Sequence, residues 1–399
     1  HEVILTGQHR CDTARFTKDI IRICQYHMQF FGMPIPIDRY VFLMQVTGNG
    51  YGGLEHRNSA ALYISREALP VIGEEQAKED YVNLLGLISH EYFHTWNVKR
   101  IKPAVFSPYE LRRENYTREL WLYEGVTSYY DDLALLRCKL ISLKTWCDIV
   151  SKTINRVLSG PGRLIQSVSE ASFDAWIKFY RQDENAVNSQ VSYYAKGALV
   201  AFALDMVLRH ETQGEKSLDH LMRQLWQQYG SINRPLIEGE VEVLASGLCG
   251  KDLSYFFNQY IRGTEDLPLG DFVTQFGLML KEDLPKKSAL GVRFENNSLK
   301  IASVLTGSCA HESGLSAGDE IVSINQLRIP VNYFSRHIES YLPDSVITVH
   351  AFRNDELRVF EVKLKPLPYS NWSLLIDESV IDEKVISQRK AWMEGIPPN

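Results

Sequence analysis

Nowhere in this chain do about 18 apolar residues run together, so no segment is expected to cross a bilayer as a helix. Its 6 cysteines never fall in a CxxC spacing, which argues against a cysteine zinc cluster or a dithiol redox motif and leaves free thiols as the expectation. Positive charge is not in surplus either: 43 Lys and Arg face 49 Asp and Glu, a net charge of -6, so no broad nucleic-acid surface is expected. The short basic run Lys99-Arg100-Ile101-Lys102 reads as a solvated helix end. No period of roughly 20 to 50 residues recurs, which sets aside solenoids and propellers. What is present is ordinary globular usage, 45% apolar and 23% charged over 399 residues, enough for two or three domains. The chain opens at His1 without a methionine or targeting segment and reads there like a protein interior, as expected of a fragment or processed product. A soluble protein of the cytoplasm or periplasm is the expected setting.

Three compositional regions follow one another. An amphipathic helix is expected from Asp12 to about Phe31, stopped by Gly32, Pro34 and Pro36. The apolar run Tyr40-Val41-Phe42-Leu43-Met44-Gln45-Val46 then suggests a strand, Gly48-Asn49-Gly50 a turn, and 54–64 a second strand. From Glu79 to about Asp266 the periodicity is helical, with helices expected over 79–98, 117–140, 144–158, 172–180, 192–210 and 217–229. Past Leu267-Pro268-Leu269-Gly270 short β runs alternate with turns. Small β part, helical body and β-rich module make an α+β class, not a doubly wound sheet. The expected boundaries are 1–270, 271–368 and a C-terminal tail over 369–399.

His90-Glu91-Tyr92-Phe93-His94 is HExxH at the end of an apolar-periodic helix. Residues four apart share a helical face, so both imidazoles can reach one cation, while Glu91 lies one step round and can hold a water. Chance supplies HExxH in a chain this long on the order of once in 100. A catalytic zinc site wants a third protein ligand and an open position. No HxxGxxH follows, because His94 runs into Thr95-Trp96-Asn97-Val98; Glu124, among the aromatics of Leu120-Trp121-Leu122-Tyr123-Glu124-Gly125, is the strongest candidate. Asp131, seven residues on and on the same helical face, can accept a hydrogen bond from a ligand histidine or be simply an exposed acid.

With HEYFHTWNVKRIKP followed by LWLYEGVTSYY, the chain resembles the glycyl-aminopeptidase-type zinc metallopeptidases, gluzincin relatives of aminopeptidase N that carry a C-terminal PDZ domain. The resemblance covers nearly the whole chain. It implies a thermolysin-like, mostly helical zinc peptidase domain, one Zn2+ per chain on His90, His94 and Glu124, and Glu91 as general base. Gly52-Gly53-Leu54-Glu55-His56 is similar to the GAMEN exopeptidase motif, with His56 in place of its asparagine, which makes Glu55 the expected anchor for a substrate α-ammonium beside Gly52 and Gly53. Tyr193-Tyr194-Ala195-Lys196-Gly197 resembles the YxKG pattern of aminopeptidase N, which points to Tyr194 as the oxyanion donor, with Tyr193 packing and Lys196 and Gly197 serving helix geometry. The family also has a large β domain ahead of the catalytic one, and most of it is expected to be missing here.

Ser288-Ala289-Leu290-Gly291-Val292 looks like the carboxylate-binding loop of a PDZ domain, and Gly314-Leu315-Ser316-Ala317-Gly318-Asp319 like its later signature. Leu290, Gly291 and Val292 are then the loop for a peptide ligand. The implied function is a zinc-dependent aminopeptidase acting on peptides with a free N-terminus, favouring glycine or other small residues. A zinc endopeptidase and a catalytically retired, PDZ-bearing peptide-binding or scaffold protein are the alternatives; an intact HExxH, Glu124 and Tyr194 weigh against retirement.

Overall fold

Strict alternation in two short segments builds the first sheet. In β1 (Glu2–Thr6), β2 (Val41–Thr47), β3 (Tyr51–Glu55) and β4 (Ser59–Ser65), it is β2 and β4 that turn Phe42, Met44, Val46, Ala60, Leu62 and Ile64 inward. The sheet order is β1-β2-β4-β3, with β1 and β4 parallel to β2 and β3 antiparallel to β4, so β3 forms an edge. The single strand expected over 54–64 is thus two strands, divided at a turn closed by the His56 amide on the Ser59 carbonyl at 2.8 Å. The computed structural model describes residues 1–74 and 77–396.

Helices cover this sheet. Helix α1 (Thr13–Phe31) starts on Asp12, whose carboxylate accepts from the Arg15 amide at 3.1 Å, and stops at Gly32 with φ 73°. Helix α2 (Glu79–Phe93) is buried along nearly all its length and packs against β3, β4 and α1. It ends five residues before the expected 98, because the chain turns back at His94 and Asn97 to meet the next element. That element is a π-helical turn, Trp121–Gly125, which runs into α3 (Val126–Arg137); single π turns of this kind concentrate at functional sites. Helix α4 (Leu143–Leu158) and the buried helix Ala195–Glu211 complete the body.

Two glycines set the spacing of the π turn and the buried helix. A Cβ on Gly125 would lie 2.5 Å from the Gly197 Cα, so a side chain at either position separates the two backbones. Nearby, Asp205 and Asp219 are fully buried and fully engaged. Asp205 accepts from Tyr129 and Arg209, and Asp219 accepts from Tyr130 and Arg137, all at 2.8–3.0 Å. Arg137 also donates to the Trp392 carbonyl at 2.9 Å, and the Trp392 indole donates to Tyr129 at 3.0 Å.

Trp392 belongs to the C-terminal helix Glu383–Glu394, so the segment expected as a tail is bound into the first core. Strand β11 (Asn371–Ile376) does the same by pairing antiparallel with β5 (Leu278–Asp283), Leu374 and Leu278 both being buried there. Between them β6 (Val292–Phe294), β7 (Ile301–Val304), β8 (Glu320–Ile324), β9 (Val346–Arg353) and β10 (Glu356–Lys363) surround a separate core spanning Leu290 to Leu364. Asn188 fastens this module to the helical body, donating to the Val304 carbonyl at 2.8 Å and accepting from the Thr306 amide at 2.9 Å.

Candidate active site

The end of α2 carries the HExxH residues. His90 sits in its last turn and His94 caps it, with ring centroids 4.6 Å apart and planes at 87°. The Glu124 carboxylate reaches both from the π turn, its Oε2 lying 3.2 Å from His90 Nε2 and 3.3 Å from His94 Nε2. Each imidazole is held from behind. His94 Nδ1 donates to the Asn97 carbonyl at 2.7 Å, and His90 Nδ1 donates to Asp131 Oδ2 at 3.0 Å. A carbonyl can only accept, so His94 carries a proton on Nδ1, which leaves Nε2 as the nitrogen able to offer a lone pair to a cation. Asp131 accepts from His90 in the same way, the contact named in one of the two readings the sequence left open for it.

Asn97 was not singled out by the sequence, yet it couples the two ligand-bearing segments. Fully buried, it donates to the Leu122 carbonyl at 3.0 Å and to Thr127 Oγ1 at 3.3 Å, tying the turn after α2 to the turn that carries Glu124. Its only sequence signal is a polar residue inside an apolar aromatic stretch. The basic run beside it departs from expectation. Arg100 is buried and donates to the carbonyls of Arg57, Thr95 and Pro36 and to Asn58 Oδ1, pinning this turn to the sheet.

Glu91 points the other way, toward edge strand β3. It is 4% exposed, and its Oε2 has no hydrogen-bond partner among the described residues. A Cβ on Gly53 would lie 2.2 Å from Glu91 Oε1, so β3 can pass this close only because Gly53 has no side chain. Gly52 has φ 159°, and nothing stands within 4 Å of where its Cβ would be. Glu55 ends the strand and forms a partly buried ion pair with Lys99 at 3.0 Å. Oxygens of Glu55 and Glu91 and a His94 ring nitrogen all lie within 4.8 Å of one another. His56 lies on the exposed turn beyond, against the Leu54 carbonyl.

Tyr194 approaches from the start of the buried helix, its ring centroid 6.3 Å from that of His90. Tyr193 is buried and stacked on it at 4.7 Å, consistent with packing. The exposed Tyr180 joins them, its hydroxyl 3.4 Å from that of Tyr194 and 3.3 Å from that of Tyr193. No local sequence signal marks Tyr180; only the tertiary fold brings it here.

Electrostatics follow from this packing. Burial would raise the Glu124 carboxyl, but the imidazoles of His94 and His90 hold it well below the ordinary range. Burial opposes protonation of the imidazoles, yet Asp131 and Glu124 lift His90 above its usual value and Glu124 lifts His94. Burial raises the Glu91 carboxyl, against the pull of His94 and His90. Three donors, two nitrogens and one oxygen within 4.8 Å, with both Nε2 lone pairs converging, fit a divalent cation of the zinc type.

In the β-rich module, Gly291 adopts φ 78°, and a Cβ there would lie 2.2 Å from that of Ser308. The Leu290 carbonyl accepts from the Ala310 amide at 3.0 Å, and its buried side chain anchors the loop in the module's core. Val292 starts β6, which pairs with β7, and two residues on Phe294 packs on Phe334 of the helix Phe334–Glu339 at 4.8 Å.

Residues 83–200 match the family model of M61 glycyl aminopeptidase, and residues 273–337 match the PDZ domain. An aminopeptidase N family protein from Idiomarina loihiensis is 36% identical over 98% of this chain and 68% of that one, with a TM-score of 0.92. An M1 zinc metallopeptidase from Deinococcus radiodurans is a far more distant likeness, 14% identical over 67% of this chain and 50% of that one, at a TM-score of 0.45. No curated protein matches.

Proposed function

This chain belongs to the aminopeptidase N family, with a glycyl-aminopeptidase segment and a PDZ domain, and from that premise we propose that it is a zinc-dependent aminopeptidase removing small N-terminal residues, glycine first, from peptides. One observation carries the reading: His90 and His94 converge on Glu124 while Glu91, buried and with its Oε2 unpartnered among the described residues, faces a glycine-bearing edge strand. The preference for glycine is supported by the description of the matched family model.

His90, His94 and Glu124 would hold the zinc, with Asp131 and the Asn97 carbonyl fixing the imidazoles. The bound ion supplies Lewis acidity toward the scissile carbonyl and its attacking water. An extended substrate lies along β3, where Gly52 and Gly53 let its backbone come close. Its α-ammonium takes the place of the Lys99 ammonium on Glu55, which sets cleavage one residue from the end. Glu91 accepts the proton of the attacking water and passes it to the leaving amine. Tyr194 donates to the developing oxyanion, an interaction worth about 3 kcal/mol for a well-placed donor. Peptide capture by the PDZ loop Leu290-Gly291-Val292 is a second binding function of the same chain.

Zinc stoichiometry and hydrolysis of aminoacyl reporters, free and N-acetylated, test this together. One zinc per chain with hydrolysis of glycyl and alanyl reporters, lost on acetylation, is expected. Bound zinc with no hydrolysis overturns the enzyme assignment for this chain, and equal cleavage of blocked peptides overturns the exopeptidase assignment.

A further inference from the structure

The helix that begins after Tyr194 turns a second polar residue away from the active site. Two positions on, and so roughly 200° round the helix, Lys196 is 1% exposed, and its Nζ has no hydrogen-bond partner among the described residues. Burial, with a smaller contribution from Arg163, lowers this ammonium to about 8 against the pull of Asp266 and Glu265. A buried, unpaired ammonium costs several kcal/mol or so and calls for a counter-charge.

Lys196 lines a cavity of about 730 Å³, whose walls include Val157, Leu199, Leu269 and Trp372. Volume and apolar lining suit a small organic molecule rather than a water cluster. The other charges around it are spoken for or solvated. Arg163 is paired with Asp266 at 2.9 Å, Glu282 accepts from Ser370 at 2.6 Å, and Asp271 and Glu282 are exposed. Among the described residues lining the cavity, Lys196 is therefore the one buried charge, positive and without a hydrogen-bond partner.

We propose that this cavity binds a carboxylate carried on an apolar body, the anion resting on Lys196 and the body against Leu199 and Trp372. A phosphate would want more donors than one ammonium. A neutral apolar ligand would leave the ammonium unpaired. Fatty acids and the C-termini of apolar peptides share the required chemistry.

Calorimetric titration of the zinc-loaded chain with decanoate and decanamide, and with an N-acetylated apolar tripeptide as acid and as amide, tests the proposal and separates the two sources. At least one acid should bind about tenfold or more tightly than its amide, as loss of a charged hydrogen bond implies. Lys196→Met should lose that acid preference. Stripping the metal from the unmutated chain should leave it intact, a control that needs no variant to fold. Equal binding of acid and amide, no binding of either acid, retention of the preference by Lys196→Met, or its loss on metal removal each overturns the site.

Discussion

The two cores of this protein make their binding sites in opposite ways. In the first, the reactive side chains come from α2, the π turn before α3, edge strand β3 and the start of the helix Ala195–Glu211, and they meet only because those elements pack. In the second, the loop proposed for recognition is one contiguous stretch, Leu290-Gly291-Val292, shaped by backbone hydrogen bonds and one glycine. A convergent site depends on close approach between remote backbones, as at Gly53 and Gly125. A contiguous one depends on local conformation.

The largest expected effect isolates chemistry from packing. Glu91→Gln keeps the shape and should lower kcat by about 1,000-fold, within the usual range for losing a general base, with zinc content unchanged by atomic absorption. Retained turnover removes Glu91 from the mechanism. Asp131→Asn comes next. Exchanging the charged acceptor behind His90 for a neutral amide should weaken zinc binding about 10- to 100-fold, read by competition with a chelator. Unchanged affinity would show that α2 alone fixes the ring.

Smaller effects ask whether the two cores are separate. Gly125→Ala drives a methyl into Gly197 and should destabilise the helical core by about 1–3 kcal/mol in urea unfolding. Gly291→Ala combines a positive φ with contact on Ser308, so it should weaken peptide capture while leaving aminopeptidase kcat within about twofold. A fall in kcat from Gly291→Ala would mean that the module shapes the active site. Smallest of all, Asn188→Ala removes two hydrogen bonds between the bodies, about 1 kcal/mol each, and should show as faster amide exchange at Thr306.

Particular residues explain what the sequence made legible. HExxH is readable because helical period places both imidazoles on one face, and Asp131 because seven residues return to the same side of α3. The strand β2 is readable from its apolar run and β4 as part of the strand expected over 54–64, though the turn between β3 and β4 is not, since His56-Arg57-Asn58 contains neither glycine nor proline. Asn97, Lys99 and Tyr180 stayed hidden, because their side-chain partners lie 13 to 44 residues away and only tertiary packing selects them. Arg100 misled for a related reason: local composition marks a charge as solvated, while its carbonyl partners belong to other segments. The C-terminal strand, and the docking of the short helix after it, escaped notice because their apolar residues complete a core laid down far earlier in the chain.

The antiparallel ribbon of β5 and β11 has a mechanical consequence. The chain leaves the helical body at Asp283 and comes back at Asn371, its paired neighbour across the ribbon. Strand spacing is about 4.8 Å, so the inserted module hangs from two tethers set side by side. Such an attachment permits swinging about the ribbon like a door and resists twisting, with Asn188 as the latch.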